Sequence, residues 1–172
     1  MRTNIGQKMF AAGVCLCLSA TLVAGASHAD LAALLKDLKG WQAEPATSMA
    51  MDVGGDTLTT ATRSYAKGEA TFSATVVVSK GAYTQSKMMD MKFESSAVKV
   101  QVATIDGFKA QTTYTSADKS GILIVVLDKN DKTSRGALAT FAFNGMSEAD
   151  ALALAKQFDW KKLQAAAQAI NK

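Results

Sequence analysis

Between Thr57 and Phe143 apolar and polar residues alternate along short runs, and clusters of Gly, Asp, Asn and Ser interrupt them. Successive side chains of a strand point to opposite faces, so this alternation predicts strands with one covered face. Thr57 to Tyr65 and Ala70 to Ser79 form one such pair, with Ala66-Lys67-Gly68-Glu69 as the hairpin turn. Phe72, Ala74, Val76 and Val78 share one face of the second strand. Ala97 to Ile105 and Phe108 to Thr115 form another pair, and Asp106-Gly107 between them is a tight-turn signal. Ile122 to Leu127 is apolar at every position, as a central strand requires. Gly136 to Phe143 is the last strand, and Ser116 to Gly121 and Asp128 to Arg135 supply the later turns.

The period changes near both ends. Leu31, Leu34, Leu35 and Leu38 recur at helical spacing, with Asp30 as a cap and Gly40 as a stop. Trp41-Gln42-Ala43-Glu44-Pro45 then leads into a loose segment, Met49 to Asp56, whose Gly54-Gly55 pair suggests mobility. Tyr83 to Phe93 reads as a short helix on propensity. Ser147 and Asp150 resemble a capping box ahead of Ala151 to Lys156. Asp159 caps a last helix through Trp160, Leu163, Ala167 and Ile170. The expectation is a single α+β domain: an antiparallel sheet of about six strands flanked by N- and C-terminal helices.

The first residues follow a different logic. Arg2 and Lys8 precede an apolar or small stretch from Met9 to Ala26, and Ser27-His28-Ala29 ends it with small residues at the positions a signal peptidase reads. A charged start, a short apolar run and a small-x-small site predict a secretory signal peptide, residues 1–29, cut after Ala29. The domain is then 30–172, the destination is the periplasm, and no membrane span follows cleavage. Cys15 and Cys17 lie too early in the apolar run for a lipid anchor.

Cleavage changes the chemistry on offer. Removing 29 of 172 residues leaves 143, without either cysteine or the one histidine. That excludes a Ser-His-Asp triad, a Cys-His pair, and imidazole or thiolate metal sites. Of 19 basic residues 17 remain, against 15 acidic, so the net charge falls from +4 to +2. With no basic cluster larger than Lys161-Lys162, no nucleic-acid partner is expected.

Ser-x-x-Lys, the spacing of a Ser-Lys hydrolase, occurs at Ser64–Lys67, Ser96–Lys99 and Ser116–Lys119. Those positions fall in strands and turns, where residues three apart do not share a face. Acidic residues such as Asp106, Asp118, Asp128 and Asp131 sit in turns, and Asp150 and Asp159 near caps, so turn chemistry accounts for them. The Asp128-Lys-Asn-Asp131 run lacks the Gly and closing Glu of a calcium loop. Methionine is the unusual feature. Met49, Met51, Met88, Met89 and Met91 are candidate Cu(I) ligands, because thioether sulfur is a soft donor. A flexible apolar surface for a partner is the other functional role open to them, and gap-filling in a core or beneath a loop is the plainer expectation. Trp41 and Trp160 are candidates to pack together or against the sheet.

Leu38-Lys-Gly-Trp41, Ala61-Thr-Arg-Ser-Tyr65, Thr104-Ile-Asp-Gly-Phe-Lys-Ala110 and Phe158-Asp-Trp-Lys-Lys-Leu163 resemble stretches of small bacterial exported proteins of unassigned function. The element order is similar to the PsbP-like (DcrB-type) α/β/α sandwich. That resemblance implies an accessory or binding role and carries over no catalytic residue. The expectation is a soluble, non-enzymatic periplasmic protein without a cofactor, whose partner is another envelope component. The alternatives are Cu(I) handling and a Ser-Lys or carboxylate hydrolase.

Overall fold

The computed structural model describes residues 27–89, 93–95 and 98–171. In chain order these form α1 (His28–Ala33), β1 (Gln42–Ala43), β2 (Thr47–Val53), β3 (Asp56–Lys67), β4 (Ala70–Ser79) and α2 (Lys80–Met88). Then follow β5 (Phe93–Glu94), β6 (Val98–Ile105), β7 (Phe108–Thr115), β8 (Ser120–Asn130), β9 (Arg135–Asn144), α3 (Glu148–Ala155) and α4 (Trp160–Ile170).

All strands join one nine-stranded sheet in the order β1-β3-β4-β9-β8-β7-β6-β5, with β2 also on β3. Every pairing is antiparallel. This corrects the expected fold class. The sheet dominates the molecule, and the helices are only 6 to 11 residues long, so a balanced α+β fold on about six strands is not what forms. The three extra strands, β1, β2 and β5, come from segments without a readable alternation.

The loose segment expected around Met49 to Asp56 is therefore also corrected. It is strand β2, closed onto β3 by the two-residue Gly54-Gly55 turn between Val53 and Asp56. Both glycines have positive φ, +57° and +77°, as a hairpin turn of the type I′ class demands. β1 and β2 lie end to end along the same edge of β3. Ala43 pairs with Tyr65 and Thr47 with Thr62, so three residues on the edge oppose two on β3. Pro45, which has no N–H to give a ladder, sits in that bulge.

The ends of two helices also shift. α1 spans His28–Ala33 rather than Leu31 to Leu38, and the Asp30 carboxylate accepts from the Ser27 backbone N–H at 2.6 Å instead of capping from outside. Leu35 and Leu38 are buried all the same, on the turn that follows. α2 starts at Lys80 because the Ser79 hydroxyl accepts from the Ala82 N–H at 3.0 Å. The C-terminal caps form as expected, Ser147 on the Asp150 N–H and Asp159 on the Lys162 N–H.

One face of the sheet carries the main core. Leu31 from α1, Ala151 and Ala155 from α3, and Leu163 and Ala167 from α4 pack on it. Its centre is aromatic. Phe72 stacks on Phe141 (5.9 Å between ring centroids) and Phe158 (6.3 Å), and Tyr65 meets Phe72 at 6.0 Å. The two tryptophans take different neighbours, Trp41 beside Phe72 and Trp160 against Phe108 and Phe141. α2 lies on the other face, where Ala82 and Met89 cover Leu138.

Candidate functional site

Among the described residues, the face that carries α2 is covered at one end only. α2 follows β4 directly and crosses β9 toward β8, over Val77, Leu138, Ile124 and Val126. Beyond it the face is floored by small side chains in register. Thr62, Thr75 and Thr140 form one cross-strand row, Ser64, Ser73 and Ala142 the next, and Ala66, Thr71 and Asn144 a third. The Thr62 and Thr75 hydroxyls are 3.1 Å apart and hydrogen-bonded.

Over the last two rows lies an open hollow of about 620 Å³ that spans β1, β3, β4 and β9. Gln42, Glu44, Ser64, Thr71, Ser73 and Asn144 supply its polar atoms. Apart from Glu44 these side chains are neutral, so the hollow offers hydrogen-bond donors and acceptors and no paired acid and base. Tyr65 contributes to the wall, but its ring is buried on the opposite, main-core face and its hydroxyl donates to the Lys36 carbonyl at 2.8 Å. Burial pushes the Tyr65 phenol up to about 12, with nearby Arg63 opposing and Asp37 adding to the rise. It stays protonated at neutral pH.

The five methionine candidates do not converge. Met49 and Met51 stand on β2 two residues apart, on one face, and are 50% and 42% exposed. Met88 is 71% exposed at the far end of α2, whereas its neighbour Met89 is 2% exposed and packed on Leu138. The opposite end of α2 is the one tied to the β2–β3 turn, since the Lys80 N–H donates to Asp56 at 2.7 Å and its ammonium to the Gly55 carbonyl at 3.2 Å. A nine-residue helix puts its ends roughly 12 Å apart. Met91 lies outside the described residues.

The Ser-x-x-Lys positions are also dispersed. Ser64 faces the hollow while Lys67, an odd number of positions on, belongs to the opposite parity of β3. Ser116 and Lys119 are exposed in a turn, Lys99 pairs with Glu148 at 3.3 Å, and Ser96 is outside the described residues. Three of the acids expected in turns have structural partners: Asp106 with Lys156, Asp131 with Tyr83, and Asp128 with Gln168 and Asn171. Among the described residues no group of three or more His, Cys, Asp and Glu side chains could hold a metal. Cys15 and Cys17 are outside them. His28 is in α1, with Nδ1 2.9 Å from the Ser48 hydroxyl.

The hollow itself is absent from the sequence reading. Its trace there is the run of Thr and Ser at alternate positions, Thr60-x-Thr62-x-Ser64 and Thr71-x-Ser73-x-Thr75. Such a run is easily taken for the solvated side of a sheet.

Comparison with family models, with curated proteins and with solved structures finds no match to this chain. Among the described residues no helix is long and apolar enough to cross a membrane.

Proposed function

We propose that this chain is an exported, non-enzymatic binding or accessory protein of the bacterial cell envelope, working in the periplasm through the hollow beside β1. The observation that carries this reading is the lining of that hollow. Neutral hydroxyl and amide groups on a sheet, with the Glu44 carboxylate beside them, can hold a ligand or a partner's polar surface through hydrogen bonds. The signal-like N-terminus and the resemblance to PsbP-like exported proteins point the same way.

Copper handling through all five methionines is less well supported, because Met88 and Met89 diverge and Met49 and Met51 lie toward the other end of α2. Two exposed thioethers on one strand are what remains of it.

Photo-crosslinking in intact cells tests the binding role. A photoreactive residue in place of Ser73 should give a discrete adduct, and Ser64→Arg in the same chain should abolish it. The same probe in place of Lys161, exposed on α4, should give none. Equal labelling from both positions, or no adduct from position 73, removes the proposal.

A further inference from the structure

We propose that two copies of this chain join edge to edge through β2, antiparallel and two-fold symmetric about Ala50, so that one sheet runs through both. The inference rests on β2 and is independent of the hollow.

The hairpin turn decides which backbone groups of β2 are spoken for. In a two-residue hairpin the residues flanking the turn form a hydrogen-bonded pair, and such pairs recur at every second position. Val53 pairs with Asp56, so Met51, Met49 and Thr47 also direct their N–H and C=O groups to β3. Ser48, Ala50 and Asp52 therefore direct theirs outward. Among the described residues β3 is the one strand paired with β2. An edge of this kind is a template for another strand. Natural edges are blunted with lysine or proline, and Thr47–Val53 contains neither.

A second copy fits this edge in one register that wastes nothing. The Pro45 bulge bounds the strand on one side and the Gly54-Gly55 turn on the other, and Ala50 is its midpoint. A two-fold axis there pairs Ala50 with the other copy's Ala50, and Ser48 with its Asp52. Every outward N–H and C=O of the strand then has a partner. Met49 comes to face Met51 across the axis at a non-hydrogen-bonded position, where side chains approach most closely. The exposed Met49 and Met51 of the two copies thus meet as one apolar row across the seam, with Val53 beside the other copy's Thr47.

Charge permits the approach. Asp52 is the one charged residue of β2, and its carboxylate already accepts from the Thr57 hydroxyl at 2.7 Å. In this register the two Asp52 residues are four strand positions apart, about 13 Å, beyond the screening length of roughly 8 Å at physiological salt. At the opposite edge β5 pairs with Lys99 and Val100 of β6, and that strand carries a lysine, which blunts an edge, where β2 has none. A seven-residue strand buries less than the roughly 800 Å² per partner of a standard interface, so a reversible dimer is expected.

Charge exchange tests the register and the partner together. Sedimentation of the wild-type chain should show a dimer that grows with concentration. Met49→Lys with Met51→Lys, and separately Met49→Glu with Met51→Glu, should each weaken dimerisation about tenfold or more, since like charges then oppose directly across the pair. Mixing the two variants should restore a heterodimer. In a Cys15→Ser, Cys17→Ser background, Ala50→Cys should oxidise to a covalent dimer and Thr47→Cys should not. Circular dichroism unchanged from wild type excludes a folding defect in these exposed positions. A chain that stays monomeric at every concentration, or a dimer indifferent to the charge exchange, overturns the proposal. So does an Ala50→Cys chain that crosslinks no faster than Thr47→Cys.

Discussion

Arg135, the first residue of β9, forms an ion pair with Asp56, the first residue of β3, although 79 positions separate them in the chain. The pair sits at a junction. Arg135 also donates to the Thr57 carbonyl at 2.8 Å and to the Asn171 side chain at 3.2 Å, and Asn171 donates to Asp128 at 2.9 Å. The Lys80 N–H at the start of α2 reaches the same Asp56 carboxylate. One guanidinium thus ties the β2–β3 hairpin, β9 and the end of α4 together, with α2 held through the shared carboxylate.

Arg135→Ala should therefore destabilise the fold by about 2–3 kcal/mol, because both side chains are only 15% exposed and Asp56 is left with a half-satisfied charge. Denaturant unfolding measures this. A double-mutant cycle with Asn171→Ala should show coupling well above zero, and simple additivity would mean that the two contacts act separately.

Phe72 is the hub of the aromatic core, with Trp41, Tyr65, Phe141 and Phe158 around it. Phe72→Ala should cost about 3–5 kcal/mol in equilibrium unfolding, because rings from the edge, the sheet and the α3–α4 turn cannot all collapse into one cavity. Phe72→Leu should recover a large part of that loss.

Gly136 lets α2 lie close on the sheet. A Cβ there would stand 2.8 Å from both the Cα and the N of Tyr83, which are backbone atoms and cannot rotate away. Gly136→Ala should destabilise by about 1–3 kcal/mol through overpacking and should raise hydrogen exchange in α2 before the rest of the molecule. Uniform exchange across the sheet and α2 would contradict this account.

The helix caps predict an acid-sensitive step. The Lys162 backbone N–H holds the Asp159 carboxyl below its ordinary value of 3.8, with the Lys162 charge adding. A depressed folded-state pKa means stability that is present above the ordinary value and is lost as pH falls through the folded one. Asp159→Asn keeps a neutral cap but removes the titration, so the stability advantage of wild type over this variant should shrink as pH falls below the ordinary value, and Asp159→Ala should show the same pH-dependent change on top of a larger constant loss. Ser147→Ala, which removes both the cap on the Asp150 N–H and the hydroxyl's bond to the Asp150 carboxylate, should cost about 1 kcal/mol at neutral pH.

The hairpins were legible because their physics is local. Thr57 to Tyr65 against Ala70 to Ser79, and Phe108 after Asp106-Gly107, alternate cleanly since one face of each strand meets the core. β2 was not legible, because an edge strand exposed on nearly every residue has no burial to impose an alternation. Tertiary pairing with β3 makes it a strand, and its Gly54-Gly55 turn mimics a flexible linker in sequence. The start of α2 was obscured by Gly81 in its first turn, which hid the Ser79 cap. Motif spacing carried the least information about the site. Methionines counted along the chain scatter in space, whereas the hollow is built from serines and threonines that are unremarked in any one strand.

The register of β8 against β9 slips between Val126 and Asp128, where Leu127 is the additional residue. Positions 122, 124 and 126 share the face that carries α2, and simple alternation would send Asp128 there too. The slip sends Asp128 to the opposite side, where Gln168 and Asn171 of the last helical segment hold its carboxylate and the Leu127 carbonyl takes the Gln164 amide. Deleting Leu127 would make this ladder more regular, yet the chain's final helix would lose its moorings. Here an irregularity of one residue is the means by which the terminus is fastened down.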